Sequence, residues 1–285
     1  MNILGDAPRT IILAGAGRSG TTWLSQIIGA NFNFQVVFEP FDSRVVPEAM
    51  PFGYHPYWPT QSKNEAWSQL IGQLGRGEIQ NAWTQRLGKR PFAWRYLIKT
   101  IRATALLPWL SHHFNYPTVF MMRHPCAVVL SRMKLEWDPH FDIYLNQPEL
   151  MRDYLDPFRE HLSAVKTDAQ KHALMWCFEN YVPYQHLNDY GWLFCTYEEL
   201  VKQTEEEVKR LLEPLQIKST WRTQKMMQRI SPVTRKDSAI LSNDKPLRAW
   251  QQKLSQKDIE DILALVKMFG FDIYNHDPLP TTMQG

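Results

Sequence analysis

Short apolar runs alternate along this chain with longer segments in which hydrophobic and polar positions are mixed. The first run, Ile11, Ile12, Leu13 and Ala14, enters a glycine-rich turn and leads to a helix-compatible segment from Thr21 through Ile28. A second apolar run, Gln35–Phe38, ends in Glu39-Pro40-Phe41. Residues 42–62 carry Pro47, Pro51, Pro56 and Pro59 among aromatic and polar groups, the composition of a long loop. Glu65–Leu74 has helical spacing, Phe92–Lys99 reads as a third strand, and Ala103–His113 as a helix with Pro108 near its first turns. Thr118–Met122 is a buried strand, followed by a helix over Ala127–Leu135. Lys171–Leu187 places Leu174, Phe178 and Tyr181 on one face of an amphipathic helix. Trp192–Thr196 is the last strand, continued by an acidic-to-basic helix from Tyr197 through Leu212. Asp258–Phe269 forms a terminal helix closed by Gly270. Strands separated by helices require a mostly parallel sheet covered on both faces, so the pattern predicts an α/β three-layer sandwich in a single domain over 1–285.

Composition narrows the function only slightly. Hydrophobic residues make up 44% and charged residues 21%, as in soluble globular proteins. A formal net charge of +3 argues against bulk nucleic-acid binding and leaves room for a local pocket for a small polyanion. Cys126, Cys177 and Cys195 are odd in number and widely spaced, which predicts free thiols in a reducing compartment. The first strand starts too early for a signal peptide, and no run approaches the roughly 18 apolar residues of a membrane span. The expectation is a cytoplasmic protein.

The chemistry concentrates where strands end. Gly15 and Gly20 have the G-x-x-x-x-G spacing of a phosphate-binding loop, in the strand–loop–helix context where backbone N–H groups converge on an anion. The lysine that should follow in a nucleotide triphosphatase is Thr21, and the positive charge lies inside the loop at Arg18. Later strand ends carry Glu39, Lys99 and Arg123. In open α/β sheets ligands bind at this edge. One polar strand end means only solvent; four in a row with three cations and one carboxylate suggest an anion site. Arg123 stands where a magnesium-dependent enzyme keeps an aspartate, and an arginine grips phosphate directly. Ser131 lies eight residues further on, within the first turns of the following helix. The loop and the Arg123/Ser131 pair therefore make two separate anion cradles, as a nucleotide with phosphates at both its 5′ and 3′ positions needs.

The segments GRSGTTW at 17–23, FEPF at 38–41 and RHPCAVVLSRM at 123–133 resemble the PAPS-dependent sulfotransferases, where PAPS is 3′-phosphoadenosine 5′-phosphosulfate. The resemblance runs from about residue 10 to 270 and is weakest across 42–90. It implies that Gly17, Arg18, Ser19, Gly20, Thr21, Thr22 and Trp23 hold the 5′-phosphosulfate, with Arg18 in the place of a lysine common in cytosolic members. It implies Arg123 and Ser131 at the 3′-phosphate, Trp23 and Tyr197 beside the adenine, and Arg235 and Lys236 on a closing loop. Tyr197-Glu198-Glu199-Leu200 is similar to a further motif of that family.

Cytosolic members carry Lys-Thr-His with the histidine as base, whereas this chain reads Lys99-Thr100-Ile101. Carbohydrate and protein-tyrosine sulfotransferases use a glutamate after the second strand, the position of Glu39. The resemblance thus assigns Glu39 as general base, closer to the carbohydrate branch, with Lys99 and Arg18 stabilising the leaving group and no metal required. A carboxylate is a weak base for an alcohol, and burial strengthens it. A structural pairing of Glu39 with Arg18 or Lys99 remains open, as do His112 and His113 as bases. The acceptor is a small molecule or carbohydrate with a hydroxyl (or amine). Residues 42–95, with Tyr54, Tyr57, Trp58, Trp67, Trp83 and Trp94, cover it, although most of these aromatics also suit a core. A P-loop nucleotide kinase or NTPase and a non-catalytic nucleotide-binding protein are the competing readings. The sequence says nothing about oligomeric state.

Overall fold

The computed structural model describes residues 8–162, 164–229 and 245–283. Its centre is a sheet of β1 (Thr10–Gly15), β2 (Phe34–Phe38), β3 (Arg95–Thr100), β4 (Thr118–Met122) and β5 (Leu193–Thr196), laid side by side as β2-β3-β1-β4-β5. Every neighbouring pair is parallel, which sets all five carboxyl ends along one edge. Lys99 lies level with Leu13 on one side and Phe38 on the other, and Gly15 lies level with Met121. The chain leaves β1 toward β2 and leaves β4 toward β5, so a crevice opens between β1 and β4.

Period-two alternation distributes the strand residues between two cores. Ile12, Ala14, Val37, Ile98, Phe120 and Met122 face a large layer of helices. This layer contains α2 (Glu65–Arg76), α3 (Leu107–His113), α4 (Pro125–Met133), α8 (Asp168–Gln185), α12 (Lys245–Lys253) and α13 (Gln256–Met268). Ile11, Leu13, Leu97, Val119, Met121 and Cys195 face the other layer, built from α1 (Thr21–Ile28), α9 (Tyr197–Lys202), α10 (Thr204–Leu212) and the edge of α11 (Trp221–Met227). Short helical pieces α5 (Asp142–Leu145), α6 (Pro148–Leu150) and α7 (Arg159–Leu162) connect α4 to α8. The three-layer α/β architecture is the expected one. Among the described residues no helix is long and apolar enough to cross a membrane.

Several elements depart from the sequence pattern for identifiable reasons. The third strand starts at Arg95 rather than Phe92, which is 83% exposed beyond the end of the sheet. The helix expected from Ala103 starts at Leu107, because Pro108 lacks an N–H and sits in the first turn. The helix after β5 breaks at Gln203 (φ −130°, ψ 50°) into α9 and α10. Helix α8 is buried nearly all round, because α4 and α13 pack against it; the single apolar face read from Leu174, Phe178 and Tyr181 was too narrow. The proline-rich loop is tied down: Phe41 and Phe52 pack on Trp67, and Tyr57 hydrogen-bonds both Gln147 and Asp153.

Gly15 is set by a close approach rather than by its φ. A Cβ there would lie 2.3 Å from the Met121 carbonyl oxygen on β4. Gly15→Ala is therefore expected to push β1 from β4 at the mouth of the crevice and to lower stability by about 1–3 kcal/mol, read from the urea unfolding midpoint.

Candidate active site

The loop between β1 and α1 is held in a conformation that side chains rarely adopt. Arg18 has φ 76° and Gly20 φ 94°. A Cβ on Gly20 would meet the Tyr197 ring at 2.5 Å, so this position tolerates only hydrogen. Gly17 is closed in by Trp137 and Ile101, whose atoms would lie 2.8 and 3.2 Å from an added Cβ. The turn is fastened by the Ser19 N–H to the Ala16 carbonyl, and α1 then starts with the N–H groups of Thr21 and Thr22 at its open end. Ser19 is fully buried and its Oγ has no partner.

Across the crevice, the segment after β4 meets this loop directly. Arg123 Nη1 donates to the Arg18 carbonyl at 3.1 Å, and Arg18 Nε donates to Ser131 Oγ at 2.9 Å. The two cradles expected from the sequence thus form one continuous cationic surface. The Arg123 guanidinium lies 4.2 Å over the Tyr197 ring, and the Trp23 ring meets Tyr197 edge-on at 6.3 Å. Burial, reinforced by Arg123 and Arg132, lowers the Arg18 pKa to about 10. Positive groups crowd together here, and Arg123 Nε and Ser19 Oγ are buried polar atoms without a hydrogen-bond partner among the described residues.

Arg132 braces the loop from below. Its Nη2 donates to the Gly17 carbonyl at 2.9 Å and to Glu179 on α8. Both side chains are sealed from solvent. Burial raises the Glu179 pKa, against the opposing pull of Arg132 and the Gly17 backbone.

Glu39 sits at the end of β2 with φ 44°, a second strained backbone position at this edge. Its carboxylate is 1% exposed and ion-paired on both oxygens. Lys99 Nζ binds Oε1, while Oε2 accepts from Arg102 Nη1 at 2.9 Å and from the Ile101 N–H at 3.1 Å. Burial lowers the Lys99 pKa, with Glu39 acting against it. Of the two pairings left open by the sequence, the one with Lys99 is present; Arg18 turns to Ser131 instead.

Sequence reasoning missed Arg102, Arg132, Glu179 and Trp137. Arg102 could have been found as another cation just beyond a strand end, and Arg132 stands inside the quoted RHPCAVVLSRM segment. Glu179 carries no local signal, since it lies on a helix far along the chain. His112 and His113 end α3, just before β4 begins, which sets them toward the amino edge of the sheet, opposite the Glu39 edge. Trp67 is core, and Tyr57 is nearly so, as their composition allowed. Trp83 packs on Phe38 and donates to the Glu39 carbonyl at 3.3 Å. Arg235 and Lys236 lie outside the described residues. Trp137 also lines a cavity of about 660 Å³, whose walls carry Glu136, Asp138, Asp142 and Asp168 together with Lys171 and His172.

The parallel sheet thus carries a glycine loop with Arg18 and Arg123 at its carboxyl edge, the edge at which open α/β folds place their sites. The chain matches the family described as Sulfotransferase domain over residues 8–253, and it belongs to that family. The sulfotransferase domain from the Synechococcus PCC 7002 olefin synthase is similar in fold, at 16% identity and a TM-score of 0.50 over 94% of this chain and 97% of that one. The sulfotransferase domain from the curacin biosynthetic pathway is similar at 14% identity and a TM-score of 0.50, covering 92% of this chain and 98% of its own. Mouse sulfotransferase SULT7A1 complexed with PAP is similar at 16% identity and a TM-score of 0.46, over 92% of this chain and 84% of that one. No curated protein matches.

Two stability effects follow from the buried charges. Glu179→Gln leaves the Arg132 guanidinium buried without a counter-charge, and unfolding titrations should show a loss of about 3–5 kcal/mol. Glu198 accepts from the His124 N–H and the Tyr274 hydroxyl, and burial raises its pKa from 4.5 to about 7. The folded state thus favours the neutral form. The stability this contributes is complete below pH 4.5 and is lost as pH rises through about 7. Denaturation of Glu198→Gln across that window should lack this fall.

Proposed function

We propose that this sulfotransferase works as a single domain that moves a sulfuryl group from PAPS to a hydroxyl (or amine) acceptor, in line and without a metal, with Glu39 as general base. The observation that carries the reading is the group Arg18, Arg123 and Ser131 joined across the β1/β4 crevice, with Arg123 Nε and Ser19 Oγ buried and open. These are donors of the kind two phosphate groups require, and they fit the bisphosphorylated nucleotide. Gly17 through Trp23 would hold its 5′-phosphosulfate end, Arg123 and Ser131 its 3′-phosphate, and Trp23 and Tyr197 its adenine. Arg235 and Lys236 remain the proposed closing residues.

PAPS supplies an activated sulfuryl group whose S–O bond to phosphate breaks as the acceptor oxygen bonds to sulfur. The chain's part is electrostatic and geometric. Lys99 turns its ammonium from Glu39 Oε1 to the leaving oxygen, with Arg18 adding positive charge. Oε1, freed of Lys99, takes the acceptor proton. A lysine suits this exchange, being a point charge on a flexible stem. Arg123 at the end of β4, where a kinase needs a carboxylate for magnesium, speaks against the nucleotide kinase or NTPase. Trp137 is shared between the glycine loop and this cavity, which suits a small-molecule or carbohydrate acceptor. The three buried free thiols fit a reducing, cytoplasmic setting.

Calorimetry with PAP and steady-state kinetics with PAPS test this. Arg123→Ala and Ser131→Ala should each weaken PAP about tenfold or more. Lys99→Ala should lower kcat more than it raises KM for PAPS. Glu39→Gln should bind PAP as tightly as the wild type and lose about 10²–10⁴ in kcat. No heat from PAP alongside tight magnesium–ATP binding would overturn the reading. Tight PAP binding without turnover on a broad acceptor panel would favour the non-catalytic alternative.

A further inference from the structure

The two cations on Glu39 are held in different ways. Lys99 Nζ reaches Oε1 from β3, lies 5.0 Å over the Phe38 ring and makes no other side-chain hydrogen bond among the described residues. Arg102, in the turn after β3, binds Oε2 through Nη1 at 2.9 Å and Asp42 Oδ2 through Nη2 at 3.1 Å, so its planar fork is anchored at both tips. Its Nε is buried without a hydrogen-bond partner among the described residues, and Tyr54 joins the two carboxylates around the guanidinium. Asp42 is fully buried, and Arg44 closes on it with Nε at 2.9 Å and Nη2 at 3.1 Å. Burial would raise the Asp42 pKa, but Arg44 and Arg102 outweigh it and hold it low. Charges therefore alternate from Lys99 through Glu39, Arg102 and Asp42 to the half-exposed Arg44. Tyr54, from the same loop as Asp42, faces both arginines, at 5.3 Å from Arg102 and 4.5 Å from Arg44. Arg18 approaches from the glycine loop and acts electrostatically on Lys99. Trp83 donates to the Glu39 backbone carbonyl.

We propose that Arg102 is a positioning residue for Glu39: it pins Oε2 through a fork whose other tip is locked on Asp42, so that Oε1 alone turns to the acceptor. This rests on Glu39 being the base. The asymmetry follows from side-chain chemistry. A guanidinium bridging two buried carboxylates is rigid, whereas an ammonium with one hydrogen bond can leave. When Lys99 moves to the leaving oxygen, Arg102 and the Ile101 N–H hold Oε2 and keep the carboxylate aimed. Through Asp42 the same fork ties the base to the loop over 42–62, so order in that loop reaches the proton acceptor.

The test is the pH–rate profile of the full chain with PAPS and an accepted alcohol, together with PAP affinity and thermal stability. Arg102→Gln removes a positive neighbour from Glu39. Its acid limb should move to higher pH by about one unit and kcat should fall about tenfold or more, with PAPS KM within about twofold. Arg102→Lys restores the charge without the two-point fork, so its acid limb should return while kcat stays low. Asp42→Asn should lower kcat as Arg102→Lys does, and Arg44→Ala should leave it near wild type. An Arg102→Gln enzyme with unshifted acid limb overturns the proposal, whether or not it is less stable. If Arg102→Gln does not fold, wild-type kcat in both Arg102→Lys and Asp42→Asn overturns it. The base assignment fails separately, through an active Glu39→Gln.

Discussion

Beneath the glycine loop, a guanidinium from α4 and a carboxylate from α8 meet in a space closed to water, and the remaining site is built on that contact. Arg132 cannot stay buried without Glu179, and with it the guanidinium holds the Gly17 carbonyl. The loop, the helix after β4 and the long central helix thereby become one body. Only then do Arg18 and Ser131 face each other within hydrogen-bond reach. The ion pair adds little net stability for its desolvation cost, but it fixes where the neighbouring cations point.

The cations of the site divide by whether a counter-charge is built in. Lys99 and Arg102 share Glu39, and Arg102 also has Asp42. Arg18 and Arg123 make no ion pair with a carboxylate among the described residues; they bond a hydroxyl, a carbonyl and an aromatic face. This division matches two tasks. In the proposed reaction the arginines without a carboxylate would bind the nucleotide, while Lys99 and Glu39 would exchange partners. Arg18 and Glu39 both have left-handed backbone, as do His55, Glu136 and Gln216 elsewhere.

The sheet was legible because each strand is short, apolar and followed by a polar break. All five strands were located, with shifts of at most three residues at their ends. Helix boundaries were less legible where packing overrode pattern. Helix α8 reads as amphipathic, yet α4 and α13 cover its second face. The pieces α5, α6 and α7 were not anticipated, because their turns are stabilised by contacts such as those from Tyr57 to Gln147 and Asp153 rather than by local periodicity.

For the site, local order along the chain was enough to select Arg18, Glu39, Lys99, Arg123 and Ser131. Parallel strands must end at one edge, and a residue that follows each end is delivered there whatever lies between. Partnership was not selectable in this way. That Glu39 joins Lys99 and Arg102, that Arg18 turns to Ser131, and that Glu179 lies under the loop all depend on side chains from segments distant along the chain. Those pairings arise from burial, which forces each charge to find the nearest compensating group in space, and nearness in space is a property of the folded packing.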